Sequence, residues 1–136
     1  MDANAHSTNL QAFANLLVRA GQGGCSDVHV RTNAPPMGRR GGRLVPLGDG
    51  SVSSDAILEL IQATAKRPLA AASLEYSFDI GDALRARCHA FRDSDGWAVA
   101  VRLVPHAIPS FSDLRLPPVV KTFVEPRPGL LLITGP

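Results

Sequence analysis

Apolar side chains along this chain recur with two periods, one typical of helices and one typical of strands. Thr8 opens a capping box at the start of a first predicted helix, and Gly21 ends it. Ser53 or Ser54 predicts the start of a second helix, and Pro68 its end. The apolar positions with the helical period are Leu10, Phe13, Leu16, Leu17 and Ala20 in the first helix and Ile57, Leu60, Ile61 and Ala65 in the second.

Outside the helices, apolar residues alternate with polar ones at every second position, as in strands with one buried face. The alternating stretches are residues 26–32, 74–80, 84–92 and 97–104. A further hairpin over 37–47 turns at two consecutive glycines. Helices mixed with strands joined by tight turns predict a small α+β domain over residues 1–104, an antiparallel sheet with two helices packed on it.

The last part of the chain has a different character. Residues 105–118 contain four prolines, which predicts an ordered linker. Residues 119–136 begin with a short predicted helix and continue with an apolar run, 130–133, that fits a strand buried on both faces. Thr134, Gly135 and Pro136 follow. A buried strand that leads into glycine begins a G-x-x-x-x-G-K-[ST] phosphate-binding loop, and it is also common before a plain turn.

Composition and charge narrow the classes of function. Among 136 residues, 14 Lys and Arg against 12 Asp and Glu leave a net charge of +2, which does not favour a nucleic-acid-binding protein. The two cysteines match no metal-binding spacing, so we expect reduced, buried cysteines of a cytoplasmic protein. The four histidines form no zinc-binding pattern. No apolar run reaches the ~20 residues of a membrane span.

The hairpin formed by the last two alternating stretches carries the candidate chemistry. Matching its apolar faces sets Cys88 opposite Val101, because a slip of one residue would set apolar positions against polar ones. The same register sets Arg87 directly opposite Arg102 on the other face, with Arg85 beside them. This predicts two arginines side by side on a sheet surface.

Like charges directly opposite each other on paired strands are unfavourable by up to about 1 kcal/mol, so the arginine pair needs an explanation. One is neutralisation by the carboxylates of the preceding strand, Glu75 and Asp79. Another is that the two side chains spread apart into water. A third is an anion held between the two guanidinium groups, with phosphate as the natural candidate. Arg92 lies near the turn on the opposite face and can extend outward.

Seven short motifs in series give the chain a resemblance to a known family. In this order and at these spacings they resemble the N-terminal part of the type II/type IV secretion ATPases, and most of all the PilT-like pilus retraction ATPases. The resemblance covers nearly the whole chain. The motifs are Ser26-Asp-Val-His-Val30, Pro35-Pro-Met37 followed by Arg39, Gly42 and Leu44, Tyr76-Ser-Phe-Asp79, Arg85-Ala-Arg87 followed by Phe91-Arg92, Val101-Arg-Leu-Val-Pro105 followed by Ile108-Pro-Ser110, Leu116-Pro-Pro118, and Pro128-Gly-Leu-Leu-Leu-Ile-Thr-Gly-Pro136.

The resemblance implies a PAS-like N-terminal domain, a proline-containing linker and the first strand of a RecA-like ATPase domain, cut inside its phosphate-binding loop. It implies a protein that hydrolyses ATP with Mg²⁺ as a homohexamer, in the cytoplasm and peripheral to the inner membrane. Its partners would be its own ATPase domain, the neighbouring subunits and the platform proteins of a pilus, and no nucleic acid. The family's catalytic residues would lie beyond this chain. Alone, the chain is therefore expected to hydrolyse no ATP and to hold no nucleotide tightly.

The resemblance also implies the residues that contact the nucleotide. The arginines that reach the ATP phosphates match Arg87 and Arg102 by position, with Arg85 and Arg92 as further candidates. Gly135 and Pro136 match the start of the phosphate-binding loop.

The chain departs from the family pattern in its first hairpin. Gly38 and Arg40 stand where the family usually has apolar residues, which predicts a loosely packed hairpin over 37–47. Two other functions fit the sequence. One is a stand-alone PAS-like binding or adaptor module without ATPase activity. The other is the same domain of a type II/IV secretion or pilus extension ATPase.

The coding sequence that follows Pro136 separates an ATPase from a stand-alone module. We expect the next ~10 codons to complete the loop with glycine, lysine and serine or threonine at the required spacing. Sequencing the gene checks this. A stop codon there, or no lysine at that spacing, would favour the stand-alone module.

Overall fold

A computed structural model describes residues 3–69, 71–125 and 128–135 of the chain. These residues divide into two units, one that ends at His106 and one that begins at Ala107. Among the described residues, the first unit contains six strands and two long helices. The predicted α+β class, an antiparallel sheet with two helices, is therefore confirmed.

The first helix, α1, spans Ala3–Gln22. It begins before the predicted start at Thr8, because residues 3–7 contain neither glycine nor proline and can extend the helix. At its other end, the N–H of Gly23 donates to the carbonyl oxygen of Arg19 at 2.9 Å. Gly24 follows with a φ of 78°, the left-handed conformation that commonly ends a helix.

Six strands form one sheet in the described part of the chain, and every strand pairing in it is antiparallel. Their order across the sheet is β3-β2-β1-β6-β5-β4. The last strand of the sequence, β6, therefore lies in the middle of the sheet, between β1 and β5. The strands are β1 (Cys25–Arg31), β2 (Met37–Arg40), β3 (Arg43–Pro46), β4 (Ser73–Ile80), β5 (Leu84–Asp93) and β6 (Gly96–Pro105).

The second helix, α2, spans Ser54–Ala65 and is capped at both ends. At its N-terminus, Oγ of Ser53 accepts a hydrogen bond from the N–H of Ala56 at 3.2 Å. At its C-terminus, Lys66 has a φ of 53°, so the chain leaves the helix in the left-handed conformation. Ser53 is thus the cap, one of the two serines that the sequence predicts.

Both helices pack on one face of the sheet and form a single core with it. Fully buried aliphatic side chains such as Leu17, Ile57 and Val101 each contribute roughly 1.5–3 kcal/mol to stability. We call the other face, which carries Asp27, Arg87 and Arg102, the open face. The buried core residues are Phe13, Leu17, Ala20, Cys25, Val28, Val30, Ile57, Leu60, Ile61, Ala86, Cys88, Ala90, Val99, Val101 and Leu103.

The hairpin of β2 and β3 forms where the sequence predicts it. Gly41 and Gly42 have φ of 55° and 79°, as the two central residues of a tight hairpin turn require. Gly38 is buried, and a Cβ there would lie 2.8 Å from the sulfur of Cys25 and 3.0 Å from a methyl carbon of Leu47. The expected loose packing is therefore wrong at Gly38, because neighbouring side chains already fill the space that an apolar residue would take.

The hairpin of β5 and β6 has the predicted register. Cys88 pairs with Val101 and Arg87 with Arg102. The ladder extends to Asp93 and Gly96, so each strand continues one residue closer to the turn than the alternating stretches 84–92 and 97–104. The Asp93 carboxylate stabilises this turn, since its Oδ1 accepts from the N–H of Asp95 at 3.0 Å and of Gly96 at 3.2 Å.

The second unit contains one short helix among its described residues, α3 (Val120–Phe123), where the sequence predicts one. The strand expected over residues 130–133 is not formed. These residues have no regular secondary structure, and Leu130 and Ile133 are 84% and 88% exposed. A strand needs a neighbouring strand for its backbone N–H and C=O groups, and no described residue pairs with this segment.

Gly96→Ala is expected to destabilise the first unit by about 2–4 kcal/mol. Gly96 has a φ of 133°, and a Cβ there would lie 2.5 Å from Oγ of Ser54 and 2.8 Å from Oγ1 of Thr32. Neither hydroxyl can move freely, because Ser54 accepts from the N–H of Trp97 at 3.1 Å and Thr32 donates to its carbonyl oxygen at 2.8 Å. Urea unfolding measures the loss.

Gly81→Ala is the matched control for this substitution. Gly81 also has a positive φ, 57°, but an added Cβ would meet nothing within 4 Å. It should cost only about 1–2 kcal/mol of backbone strain. Equal losses of unfolding free energy in the two variants would show that the contacts with Ser54 and Thr32 add nothing to the cost of Gly96→Ala.

Candidate anion-binding site

Three neighbouring strands bring the candidate residues together in one row across the open face. The pairing of β5 with β6 sets Arg87 opposite Arg102. On the far side of β6, the pairing with β1 sets Asp27 opposite Arg102. On the far side of β5, the pairing with β4 sets Ser77 opposite Arg87. The row therefore reads Asp27, Arg102, Arg87, Ser77, with the two like charges in the middle.

Arg102 forms an ion pair with Asp27. Its Nε donates to Oδ1 of Asp27 at 3.0 Å. The Arg102 side chain is 71% exposed, whereas that of Asp27 is only 14% exposed. Burial by itself would raise the pKa of the Asp27 carboxyl. Hydrogen bonds from Ser26 and Arg102, together with the charges of Arg102 and His29, outweigh it and hold that pKa below its ordinary value of 3.8.

Arg87 has no such partner. Its side chain is exposed, and the structure gives it no hydrogen bond or ion pair with any described residue. It borders a shallow pocket of about 510 Å³ on the open face. The pocket is lined by Asp27, Glu75, Tyr76, Ser77, Arg87, Cys88, His89, Ala100, Val101 and Arg102. The lining thus carries two guanidinium groups and two carboxylates, those of Asp27 and Glu75. Asp27 neutralises Arg102, so Arg87 is the guanidinium that remains available for an anion.

Arg85 lies on the same face and is already occupied. Its Nη2 donates to Oγ of Ser77 at 3.2 Å, and its Nη1 lies 3.7 Å from Oδ1 of Asp79. Asp79 thus neutralises Arg85, and Asp27 on β1 neutralises Arg102. For Arg102, the sequence-based suggestion of Glu75 or Asp79 is wrong, because its nearest carboxylate comes from the neighbouring strand on the other side.

The remaining sequence candidates are Arg92, Gly135 and Pro136. Arg92 pairs with Trp97 at the end of the hairpin and lies on the opposite face from Arg87, as its position in the strand predicts. Gly135 belongs to the second unit, and Pro136 lies outside the described residues.

Other polar groups near the pocket offer little reactivity. Burial raises the pKa of the Cys88 thiol to about 12, although a hydrogen bond from Tyr76 acts in the other direction, so the thiol stays protonated near neutral pH. His89 is oriented by contacts, with its Nε2 3.2 Å from Oγ of Ser73 and its ring 5.3 Å from that of Phe91. Nε2 of His29 is buried without a hydrogen-bond partner among the described residues. The site can bind and orient charge, and it contains no nucleophile activated for covalent chemistry.

The described residues contain neither a metal-binding cluster nor a membrane-spanning helix. No three His, Cys, Asp or Glu side chains within residues 3–69, 71–125 and 128–135 are grouped to hold a metal ion. Nor does any helix in that part of the chain combine the length and the apolar character needed to cross a membrane.

Known proteins with similar sequences include a pilus retraction ATPase and a twitching motility protein. No protein-family model matches the chain. It is 27% identical over 130 residues to the type IV pilus retraction ATPase PilT of Pseudomonas aeruginosa, an alignment that covers 91% of this chain and 38% of that protein. It is 30% identical over 63 residues to a twitching motility protein of Neisseria gonorrhoeae, which covers 46% of this chain and 17% of that protein.

A solved structure agrees in fold. The pilus retraction motor PilT with bound ADP superimposes with a TM-score of 0.63 and 25% identity, over 79% of this chain and 33% of the motor. This chain is thus similar in sequence and in fold to part of the pilus retraction ATPase PilT. It spans little more than a third of the length of the PilT sequence that it matches.

Acidification is expected to remove the stabilisation that the Asp27–Arg102 ion pair supplies. Because the folded-state pKa of Asp27 lies below its unfolded value, the contribution is fully present above about pH 4. It is lost as the pH falls through the folded-state pKa. The wild-type chain should therefore exceed Asp27→Asn in stability at about pH 7, by no more than about 1 kcal/mol because Arg102 is well solvated.

The difference between the two chains should shrink as the pH falls below about 4 and disappear once the pH lies below the folded-state pKa of Asp27, where both side chains are neutral. Urea unfolding of each chain at several pH values measures it. A difference that stays constant from neutral to acidic pH would show that the charge of Asp27 adds nothing to stability.

Proposed function

We propose that this chain is the N-terminal domain of an ATP-driven motor that retracts type IV pili, and that Arg87 and Arg102 bind the charge of the ATP phosphates. The observation that carries the proposal is the cross-strand arginine pair on the open face, beside a pocket of about 510 Å³. The similarity to PilT and to a twitching motility protein supports the motor. The ADP in the solved PilT motor supports a nucleotide as the ligand.

Arg87 and Arg102 lie directly opposite each other on paired strands. Two guanidinium groups directly opposite each other repel, and an anion between them converts that repulsion into attraction. Arginine suits phosphate because its planar group presents several N–H donors in a fixed geometry. An arginine side chain stays protonated at physiological pH, so the two arginines act by electrostatic positioning of the phosphates.

The four candidate arginines are unequal in this proposal. Arg87 is unpaired and exposed, so it contributes the most charge that an anion can use. Arg102 shares its charge with Asp27. Arg85 is bound to Ser77 and Asp79, so it supports the field of the pocket and makes no direct contact with the ligand. Arg92 lies on the opposite face and has no part in this site.

The remaining components of the motor follow from the similarity to PilT. ATP and Mg²⁺ would bind the motor's own ATPase domain, and neighbouring copies would form a homohexamer. The motor would work in the cytoplasm against platform proteins of the inner membrane. The proline-containing segment over 105–118 would act as the hinge that lets the arginines approach the phosphates and withdraw.

Arg87→Ala and Arg102→Ala are each expected to lower ATP hydrolysis by the full-length protein, by at least about tenfold. The reason is the loss of one positive charge that faces the phosphates. Steady-state hydrolysis measures the rate, and size-exclusion chromatography with light scattering verifies that the assembly is unchanged. Arg43→Ala removes an exposed arginine of β3 outside the pocket and should leave the rate unaltered. If neither pocket variant changes hydrolysis while the assembly is intact, the arginine role is refuted.

A further inference from the structure

Arg102 is held at one side of its guanidinium group only. Its Nε donates to Oδ1 of Asp27 at 3.0 Å, and among the described residues this is the one hydrogen bond that the side chain makes. The two terminal amino groups remain open. They form an edge with which arginine makes paired hydrogen bonds to a phosphate. Asp27 thus fixes the orientation of Arg102 without occupying this edge.

Asp27 itself has a fixed position. Its side chain is only 14% exposed, and its second oxygen, Oδ2, accepts a hydrogen bond from Oγ of Ser26 at 2.7 Å. The ladder between β1 and β2 shifts register between Cys25 and Asp27. Such a bulge interrupts the alternation that would send neighbouring side chains to opposite faces, and it allows Ser26 to reach the carboxylate. With both oxygens bonded, the carboxylate is a rigid support for Arg102.

Arg102 benefits from such a support because its side chain is 71% exposed. A long side chain in water samples many rotamers, and ordering one of them on a ligand typically weakens binding by about two- to tenfold. A side chain that is already held in one orientation avoids much of that loss. Arg87, which no described residue holds, has no comparable support.

We propose that Asp27 is a positioning residue of the anion site, which holds Arg102 through Nε so that its terminal amino groups face a phosphate ligand. This rests on the proposed function of the arginine pair. Asp27 does not contact the ligand in this arrangement, and it acts through Arg102. Ser26 and the bulge in β1 contribute to this positioning, because they fix the carboxylate of Asp27.

The negative charge of Asp27 would by itself weaken anion binding. This effect distinguishes a positioning role from a purely electrostatic one. A carboxylate in the lining of the pocket repels an anion and weakens its binding. If Asp27 acted by its charge alone, its removal by any substitution would strengthen anion binding. If it acts by holding Arg102, the result depends on whether the substitute accepts the hydrogen bond from Nε.

Two substitutions at this position make the distinction. Asp27→Asn keeps a carbonyl oxygen that can accept from Arg102, and its amide can donate to Ser26, but it removes the charge. Asp27→Ala removes both the charge and the hydrogen bonds. Asp49→Ala is the matched control, because it removes one carboxylate from an exposed turn outside the pocket. Arg87→Ala and Arg102→Ala test the site itself.

The experiment titrates inorganic pyrophosphate into the 136-residue chain and its variants at low ionic strength. Nuclear magnetic resonance of the arginine Nε–Hε groups reports the apparent Kd, and the backbone amide spectrum verifies folding. The same spectra carry a readout that does not depend on ligand. The Hε signal of Arg102 should be shifted and protected from exchange in the wild type and in Asp27→Asn, and should lose both properties in Asp27→Ala.

The proposal expects Asp27→Ala to bind pyrophosphate about three- to tenfold more weakly than Asp27→Asn, with Asp49→Ala equal to the wild type. Equal or tighter binding by Asp27→Ala, while Arg87→Ala and Arg102→Ala bind weakly, would overturn the positioning role and leave the arginine site standing. Binding that does not depend on either arginine would overturn both.

Discussion

The antiparallel pairing of β6 with both β1 and β5 is the constraint on which the core and the candidate site depend. One face of this strand buries Val99 and Val101, which pair with Val30 and Val28 of β1. Because side chains alternate along a strand, the register that buries these valines also decides which residues lie side by side on the open face. A slip of one residue in either ladder would expose the valines and disperse the arginine site. Packing of the core therefore stabilises the geometry of the site.

The three arginines of the open face differ in how far a carboxylate neutralises each of them. Arg85 is neutralised by Asp79, Arg102 is held by Asp27 and still solvated, and Arg87 is unpaired. In open water this surface attracts anions only moderately, because the solvent screens the charges. Covering it with a second surface would lower the local dielectric and strengthen the attraction. In the proposed motor, the arginines would accordingly act most strongly when a nucleotide and its ATPase domain close over them.

Two buried positions carry residues of unusual size or polarity. Gly38 is buried without a side chain, and the sulfur of Cys25 and the side chain of Leu47 occupy the adjacent space. Thr64 shows the reverse case of a polar residue in the core. The apolar period of α2 places Ala65 in the buried stripe, but the more deeply buried residue is Thr64, whose hydroxyl donates to the carbonyl oxygen of Leu60 at 2.6 Å and lies 3.0 Å from Oη of Tyr76. Hydrogen bonds make this burial possible.

The sequence by itself determined the helices, the strands and the pairing of Arg87 with Arg102, because periodicity and turn chemistry act between residues close in the chain. Only the tertiary structure decided that β1 lies beside β6. It thereby made Asp27 the partner of Arg102, a residue 75 positions away in the chain. The alternation of side chains predicts on which face of the sheet a residue lies, but it does not predict which distant strand lies beside it. Residues 130–133 have no regular secondary structure for the same reason, since an apolar run becomes a strand only where another strand completes its hydrogen bonds.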